Sequence, residues 1–562
     1  MLGLHTYVVA PTLDWVNPAS TVFGYWQLDI EYVMNPLKNV NRFFAAMSVI
    51  AGAAVSSPSY AEIPLAVSTS FGTVIGSMQN GIESWLGIPY AEPPIGALRW
   101  QPPHPMKNWT TPIKANALSN SCVQNADLGV FARAGGSEDC LYLNVYRNPA
   151  DAGSKKLPVF VWIHGGALQV GQGGDYDPSK LAIQGHAVVV TLNYRLGVFG
   201  FLSHPALDGE GHDFGNYGLM DQQAALQWVK RNVAQFGGDP DNVTISGESS
   251  GGNSVMAHIA SPNSAGLFQH VVAMSAGGIM ARHPAFGAPY PLEVARKSGE
   301  SFAKAVGCEN GSADCLRSVS TKRILDAQAP FAHNEFIIDG RILPVHPADA
   351  FKAGKINKAT LVNGSTRDEG RFFVALPELL TGKILTDQDY PREIEQVYGS
   401  KLAPSVIQEY SLGNYDSPSE ALAAALTDSL FACTARAMNQ ALSGKIPVYA
   451  YEFSDRTAPS YVGATSFPLL AAHTYELAYV FPGFRGAGDV HVKLNSLQER
   501  LSYQMVSYFA NVATLVRGDD TWTSFDVKKD NYMTFSAPKA SMISTRFSDA
   551  HHCSFWDKSG TY

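Results

Sequence analysis

The sequence has few charged residues for its size and no long run of basic ones. Charged residues account for 16% of its 562 residues, and the formal net charge is −8. Proteins that bind nucleic acid usually carry clustered lysine and arginine, so we exclude that class. The chain also has no repeat of fixed period and no low-complexity tract. With 46% hydrophobic residues, the composition is typical of a globular protein with a large core, in one large domain or a few ordinary ones.

Long apolar runs are missing as well, apart from a short one near the N terminus. Residues 43–55 are apolar but too few to span a bilayer comfortably. The positive residues Lys38 and Arg42 precede this run, and small residues at cleavage positions follow it, up to Ala61. These are the three parts of a secretory signal peptide. We therefore predict a signal peptide over residues 34–61.

This prediction determines the expected organisation of the chain. Residues 1–33 would be an unstructured upstream extension of the gene model, and Met34 would be the true start. The mature chain, residues 62–562, would be secreted, or periplasmic in a bacterium, and would have no integral membrane segment. The alternative is that residues 34–61 form an ordinary buried helix.

Cysteine is scarce, with six residues, and no C-x-x-C motif occurs. The stretch His551-His552-Cys553 lacks the spacing of zinc ligands, so we predict no metal site. An even number of cysteines in an exported chain favours disulfides, and free buried cysteines are the alternative. The six are Cys122, Cys140, Cys308, Cys315, Cys433 and Cys553.

The segment FGGDPDNVTISGESSGG, residues 236–252, contains a candidate nucleophile. Apolar and polar residues alternate over 243–246, as in a short strand, and apolar residues at helical spacing follow Ser249. Gly247 and Gly251, on either side of the serine, allow a sharp turn with close backbone contacts. This strand–turn–helix pattern would expose the serine hydroxyl at the edge of a sheet. A glycine-rich turn without catalysis is the alternative, because Gly-x-Ser-x-Gly alone is a weak motif.

Two further apolar segments predict parallel strands. Residues 157–163 lead into HGGA at 164–167, whose small residues would let backbone N–H groups approach a bound oxygen. Residues 187–202 predict a second, fully apolar strand, and residues 225–233 have amphipathic helical spacing. The alternation of strands and helices predicts an α/β sheet. In such a fold, the N–H groups after one strand and after Ser249 can together form an oxyanion hole.

A serine hydroxyl needs a base to become a nucleophile, and the base needs an orienting acid. The chain has 15 histidines, and composition does not distinguish a catalytic histidine from structural ones. Six further segments help to identify the catalytic base and acid. They are WLGIPYAEPPIGALRWQPP (85–103), SEDCLYLNVY (137–146), GNYGLMDQQAALQWV (215–229), VNGSTRDEGRFF (362–373), HTYELAYVF (473–481) and CSFWD (553–557).

With these segments in this order, the chain from about residue 67 to its C terminus resembles the type-B carboxylesterase and cholinesterase family. The resemblance implies an α/β-hydrolase fold over residues 62–562. This fold is a single domain with a central, mostly parallel sheet covered by helices and with large inserted loops. It also implies a serine carboxylic-ester hydrolase that needs neither a metal nor an organic cofactor. The expected partner is an ester substrate, either a small molecule or a lipid.

The resemblance also implies the catalytic residues. It assigns Ser249 as nucleophile, Glu369 as acid and His473 as base, in the chain order that is usual for this fold. The neighbouring Asp368 and the residue before the serine, Glu248, are the competing carboxylates.

Backbone groups and structural links are implied in the same way. The oxyanion hole would consist of the N–H groups of Gly166, Ala167 and Ser250. Many relatives have a third glycine where this chain has Ala167, but we expect alanine to serve because the donor is the backbone. The resemblance further implies the disulfides Cys122–Cys140, Cys308–Cys315 and Cys433–Cys553, and the structural ion pairs Arg99–Glu138 and Arg195–Asp221.

The loop between Cys122 and Cys140 bears on the substrate. Choline-ester hydrolases of the family bind the quaternary ammonium on a tryptophan of this loop. Here the loop contains no tryptophan; its aromatic residue is Phe131, and it also contains Arg133. We therefore expect a general carboxylesterase acting on small to medium uncharged esters. Arg133 would suit an ester that bears a carboxylate, although a solvated loop arginine is the simpler interpretation.

Two alternatives remain for the function. Within the enzymes, the chain could act on longer acyl chains, like a lipase or a bile-salt esterase. Outside them, it could be a non-catalytic adhesion protein of the same family. That second alternative predicts a broken triad, whereas all three positions here carry competent residues.

Overall fold

The computed structural model describes residues 65–562 except 127–132, 155, 283–286, 310, 330, 332–334, 485–491, 517–520 and 545–546. The predicted signal peptide, the upstream residues 1–33 and Phe131 lie outside the described residues.

One large sheet forms the centre of the protein. Its strands are β1 (Leu65–Ser68), β2 (Thr73–Gln79), β3 (Ile82–Pro89), β4 (Ile113–Lys114), β5 (Tyr142–Arg147), β6 (Leu157–Ile163), β7 (Val188–Leu192), β8 (Gly238–Glu248), β9 (His270–Met274), β12 (Thr360–Thr366), β13 (Val448–Phe453), β14 (Asn531–Phe535) and β15 (Ser541–Ser544). A separate pair consists of β10 (Tyr290–Pro291) and β11 (Ile337–Ile338).

The strand order of the sheet is β1-β2-β3-β5-β7-β6-β8-β9-β12-β13-β14-β15, and β4 pairs with β2. The seven central strands from β7 to β14 are parallel, whereas the pairs β1–β2, β2–β3, β3–β5, β5–β7 and β14–β15 are antiparallel. Parallel neighbours require crossover connections, and helices provide most of them.

The described helices cover the sheet and fill its connections. They are α1 (Ser179–Ile183), α2 (Gly197–Phe201), α3 (Pro205–Asp208), α4 (Tyr217–Asn232), α5 (Ser250–Ala260), α6 (Leu292–Ala305), α7 (Ala313–Ser318), α8 (Thr321–Gln328), α9 (Pro347–Ala353), α10 (Gly370–Thr381), α11 (Tyr390–Glu409), α12 (Pro418–Leu426), a π-helix (Thr427–Ala432), α13 (Cys433–Leu442), α14 (Leu477–Val480), α15 (Ser496–Ala510), α16 (Val512–Val516), α17 (Phe547–Ala550) and α18 (Cys553–Ser559). Among the described residues, none of these helices is both long and apolar enough to cross a membrane.

The central strands are apolar because both faces of the sheet are buried. On β6, Val159, Val161 and Ile163 belong to one hydrophobic cluster, and the alternate residues Phe160 and Trp162 belong to another. Successive side chains of a strand point to opposite faces, so the two clusters are the two layers of the core. This explains why the sequence shows a continuous apolar run here instead of an alternating one.

One predicted element differs from the observed structure. The apolar segment 187–202 is not one strand: β7 ends at Leu192, and Gly197–Phe201 forms the buried helix α2. Apolarity alone did not separate the two, because both are fully buried. The predicted strand before Ser249 and the predicted helix at 225–233 correspond to β8 and to part of α4.

All six cysteines form disulfides, in the pairs Cys122–Cys140, Cys308–Cys315 and Cys433–Cys553. The alternatives of free thiols and zinc thiolates are thereby excluded. Both expected ion pairs are also present. Arg99 and Glu138 form a two-pronged pair with distances of 2.7 and 2.6 Å, and Arg195 and Asp221 form one with both distances at 2.7 Å.

Candidate active site

Ser249 occupies a strained turn between β8 and α5. Its φ and ψ are 57° and −124°, a conformation that a non-glycine residue rarely adopts unless its surroundings impose it. Its N–H donates to the carbonyl of Met274 at 2.9 Å. A Cβ on Gly251 would lie 2.1 Å from the carbonyl oxygen of Ile163, and one on Gly247 would lie 2.4 Å from the backbone of Gly251. Both glycines are therefore required by close packing of the turn, and the serine is at its apex.

Ser249 and His473 line the same cavity. The space between its walls, including the part that opens to solvent, is about 700 Å³. The glycine-rich loop after β6 forms part of its wall, and aromatic residues form much of the rest. Its lining residues include Gly166, Ala167, Tyr176, Glu248, Phe372, Phe373, Leu376 and Phe484.

The imidazole of His473 is held by Glu369. Nδ1 of His473 lies 2.5 Å from Oε2 of Glu369, and both side chains are buried. Because an ionised carboxylate only accepts hydrogen bonds, Nδ1 is the donor, and Nε2 is then the acceptor nitrogen of the neutral ring. Oε1 of Glu369 accepts hydrogen bonds from the Thr366 N–H at 2.7 Å and from the Ser275 hydroxyl at 2.5 Å. The carboxylate is therefore fixed in position by three donors.

Asp368, one of the two competing carboxylates, pairs with an arginine and not with His473. It accepts two hydrogen bonds from Arg456, at 2.9 and 2.7 Å. Its backbone N–H donates to the carbonyl of Ala471 at 2.9 Å. Asp368 therefore joins the loop that carries Glu369 to the loop that carries His473.

Glu248, the other competing carboxylate, lies in the cavity wall. Its Oε1 is 3.1 Å from Nε2 of His473, but among the described residues it has no hydrogen-bond partner. Burial, and then the charge of Glu369, raises the pKa of Glu248 well above its ordinary value. Burial and the charge of Glu369 thus disfavour the ionised form of Glu248, which makes it a poor second anion beside the imidazole.

Glu476 is a further carboxyl group that the sequence did not single out. It is buried, and its Oε1 lies 3.4 Å from the Ser275 hydroxyl. Burial, and then the charges of Glu248 and Glu369, raises its pKa well above the ordinary value. The signal that could have found it is its place in HTYELAYVF, three residues after His473.

The glycine-rich loop passes in contact with the serine turn. A Cβ on Gly165 would lie 2.5 Å from the carbonyl oxygen of Glu248 and 3.2 Å from Cβ of Ser249. The Leu168 N–H donates to Oγ of Ser250 at 3.1 Å, which fastens the loop to the start of α5. Gly166 and Ala167 have positive φ angles of 106° and 55°. The backbone of this loop is therefore fixed beside the serine.

A serine on a strand-to-helix turn of a mostly parallel sheet, with a carboxylate-bound histidine at the same cavity, is the arrangement of an α/β-hydrolase. The chain belongs to the carboxylesterase family, whose family model matches residues 64–556. It is a carboxylic-ester hydrolase.

Individual relatives agree with this assignment. The chain is 38% identical to a para-nitrobenzyl esterase of Bacillus subtilis (strain 168) over 436 residues, 75% of this chain and 83% of that one. It is 33% identical to a human cocaine esterase over 528 residues, 87% of this chain and 90% of that one. Among solved structures, a thermophilic PNB esterase superposes with a TM-score of 0.73 at 32% identity, covering 87% of this chain and 99% of that one.

Proposed function

We propose that the chain hydrolyses esters with Ser249 as nucleophile, His473 as general base and Glu369 as the orienting acid. The observation that carries this proposal is the buried 2.5 Å contact between Nδ1 of His473 and Oε2 of Glu369, beside the cavity that also contains Ser249. In the neutral imidazole this contact favours the tautomer with the proton on Nδ1, and Nε2 can then accept the hydroxyl proton of the serine. Neither Asp368 nor Glu248 has a geometry that suits the acid role.

The reaction then proceeds in two halves. Oγ of Ser249 attacks the ester carbonyl as His473 takes its proton, and the charge of Glu369 stabilises the resulting imidazolium. His473 gives that proton to the departing alcohol, which leaves an acyl group on Ser249. Water, activated in the same way, attacks the acyl-enzyme, and the acid departs.

In both halves of the reaction, the negative charge that develops on the carbonyl oxygen must be stabilised by hydrogen-bond donors. We assign this role to the backbone N–H groups of Gly166, Ala167 and Ser250. The support is the fixed loop backbone beside Ser249 and the position of Ser250 at the start of α5, where helix N–H groups lack intrahelical partners. Such donors act without reorganisation, and loss of one typically costs about 10²–10³ in rate.

We propose small to medium uncharged esters as substrates. The aromatic wall, with Phe372, Phe373 and Phe484, favours an apolar acyl or alcohol group. Esters with longer acyl chains are the second candidate substrates, and helix α10 supports them. Phe372, Phe373 and Leu376 of this helix line the cavity, and Leu380, further along it, is 59% exposed. The helix therefore carries apolar side chains both at the cavity and at the protein surface.

The test is hydrolysis of p-nitrophenyl acetate, butyrate and palmitate by the full chain and by Ser249→Ala. We expect turnover of acetate and butyrate, weak turnover of palmitate, and loss of all three in the variant. A preference for palmitate would favour the lipase-like alternative. Absence of turnover, together with failure of an organophosphate to label Ser249, would contradict the proposal and favour a non-catalytic binding protein.

We further propose that the mature protein, residues 62–562, is a single exported domain. The three disulfides support this, because they persist in oxidising compartments. Expression of the full chain, fractionation and N-terminal sequencing test it. A product outside the cytoplasm that begins at Glu62 is expected, whereas an intact N terminus in the cytoplasm would contradict the proposal.

A further inference from the structure

His551 is fully buried and lies between two carboxylates. Its Nδ1 is 2.7 Å from Oδ1 of Asp428, and its Nε2 is 2.7 Å from Oε1 of Glu452. Ionised carboxylates only accept hydrogen bonds, so both ring nitrogens must donate and the ring must be an imidazolium. His551 lies in the C-terminal segment, which the disulfide Cys433–Cys553 also ties to the body.

Asp428 belongs to the π-helix Thr427–Ala432. Its other carboxylate oxygen accepts a hydrogen bond from the Tyr410 hydroxyl at 2.8 Å, and that hydroxyl accepts one from the Trp556 indole at 2.7 Å. Asp428 is therefore held by His551 on one side and by Tyr410 on the other. A π-helical turn is rarely stable on its own and is frequently found at functional sites.

The same π-helix contacts His473 and the residue that follows Glu369. At its start, Oγ1 of Thr427 accepts a hydrogen bond from the Gly370 N–H at 2.9 Å, directly after Glu369. Near its end, the ring of Phe431 lies 5.1 Å from the ring of His473. It also stacks on Phe373 in the cavity wall, with ring centres 5.5 Å apart. The anchor at Asp428 lies between these two contacts.

The second carboxylate extends the network to the sheet. Glu452 is on β13, opposite Ser365 of β12, the strand that leads into the loop carrying Glu369. Glu452 also accepts a hydrogen bond from Arg367 at 3.2 Å. His551 therefore connects the π-helix to the strand pair from which the acid loop departs.

We propose that His551 is a positioning residue for ester hydrolysis: its imidazolium fixes Asp428, and thereby the π-helix that orients Glu369 and His473. The inference rests on the triad proposed above. Since neither His551 nor Asp428 lines the cavity, loss of the anchor should act on turnover more than on substrate binding.

The experiment compares three variants of the full chain. His551→Gln removes the charge and one of the two donors. Tyr410→Phe is a milder change that removes a single hydroxyl from the same aspartate. Glu83→Gln is the matched control, because it breaks a buried ion pair with Arg147, at 2.6 Å, away from the cavity. Diethyl p-nitrophenyl phosphate titrates the competent serine in each, so that kcat for p-nitrophenyl butyrate is expressed per active site.

We expect His551→Gln to lower kcat at least about tenfold with KM changed less than about threefold, since small misalignments of reacting groups are costly. Tyr410→Phe should lower kcat about threefold, and Glu83→Gln should stay within about twofold of the unmodified chain while losing stability. A kcat within twofold of the unmodified chain in both His551→Gln and Tyr410→Phe, or an equal loss in Glu83→Gln, would overturn the inference. If His551→Gln does not fold, Tyr410→Phe decides by the same criterion. If the unmodified chain has no turnover, the proposed function fails first and the inference with it.

Discussion

Among the described residues, Oε2 of Glu369 accepts a hydrogen bond only from Nδ1–H of His473, at 2.5 Å, whereas Oε1 accepts from both the Thr366 N–H and the Ser275 hydroxyl. This division of the two oxygens fixes the carboxylate in orientation as well as in place. It also fixes the imidazole tautomer, because the protonated nitrogen is the one at the carboxylate.

Replacement of Glu369 by glutamine should therefore impair turnover far more than replacement of its neighbour. Glu369→Gln keeps the volume but can present an amide N–H to Nδ1, which favours the wrong tautomer. We expect a fall in kcat of about 10³–10⁴, as is typical of such amide substitutions. The measurement is kcat for p-nitrophenyl butyrate at neutral pH.

Asp368→Asn is the matched control for that prediction. It removes the charge from the adjacent carboxylate, whose hydrogen-bond donors include Arg456. We expect a loss of about tenfold or less, through loosening of the two loops. A larger loss in Asp368→Asn than in Glu369→Gln would contradict the assignment of the acid.

Gly166 should tolerate no side chain. A Cβ there would lie 2.3 Å from the carbonyl oxygen of Val170, and φ is already 106°. Gly166→Ala must displace the loop, and if its N–H is an oxyanion donor, kcat should fall by about 10² or more. Gly153→Ala is the control, because Gly153 also has a positive φ, of 83°, but nothing within 4 Å of an added Cβ.

For Gly153→Ala we expect a loss of stability of about 1–2 kcal/mol from the positive φ and no loss of kcat. Chemical denaturation and initial rates measure the two effects separately. Equal kcat losses in both variants would show that backbone strain, and not the donor geometry, determines the result.

The serine turn was predictable from the sequence because its signal is local: two glycines flank the serine, and an alternating strand precedes it. The contact that requires Gly251 is with Ile163 on the neighbouring strand β6, so the sequence shows the glycine but not its reason. The choice between Asp368 and Glu369 was different, because the residues alone left both open. The two carboxylates are distinguished by partners that lie far along the chain: Asp368 pairs with Arg456, and Glu369 pairs with His473.

Other features of the site also depend on residues that are distant in sequence, so they could not be predicted. Glu476 has no distinguishing residue type, and only its burial beside Glu248 and Glu369 makes it unusual. The π-helix at 427–432 follows a run with good helical spacing, and nothing in its own sequence predicts the wider turn. Its anchors, Tyr410 and His551, are distant in sequence and become neighbours only in the folded chain.

Two buried glutamates should respond in opposite ways to conversion to glutamine. Burial, and then the charge of Glu369, raises the pKa of Glu248, so the folded state loses stability as the pH rises above the pKa that this carboxyl has in the unfolded chain. Glu248→Gln removes this cost, so it should stabilise the protein, by up to about 1.4 kcal/mol for each pH unit above about 4.3. The gain should therefore be larger at pH 7 than at pH 5.

Glu452 is the contrasting case. Burial alone would raise its pKa, but the hydrogen bond and charge of His551, with further help from Arg367 and Ser454, lower the pKa to about 2. Glu452→Gln removes an ion pair and should destabilise the protein. Urea denaturation of both variants at pH 5 and pH 7 measures the difference; a stabilising Glu452→Gln or a destabilising Glu248→Gln at pH 7 would contradict the assigned charges.

The stability of the protein should also depend on pH through His551. Burial alone lowers the pKa of this imidazole, but the hydrogen bonds and charges of Asp428 and Glu452 outweigh burial and raise the pKa to about 10. The groups that face it are these two carboxylates, with Tyr410 bound to Asp428 and Arg367 bound to Glu452. A raised pKa in the folded state gives stability that is complete below the unfolded value of about 6.5 and is lost as pH rises through 10.

The free energy of unfolding should therefore fall between about pH 6.5 and 10, with a slope from this group of up to about 1.4 kcal/mol per pH unit. Because Glu248 contributes a slope of the same sign, the quantity to measure is the difference between the unmodified chain and His551→Gln. Urea denaturation at pH 6, 8 and 10 should show a difference that is largest at pH 6 and shrinks toward pH 10. A difference that stays constant over this range would mean that His551 is neutral in the folded protein. One of its two hydrogen bonds, to Asp428 or to Glu452, would then require that carboxyl group to be protonated.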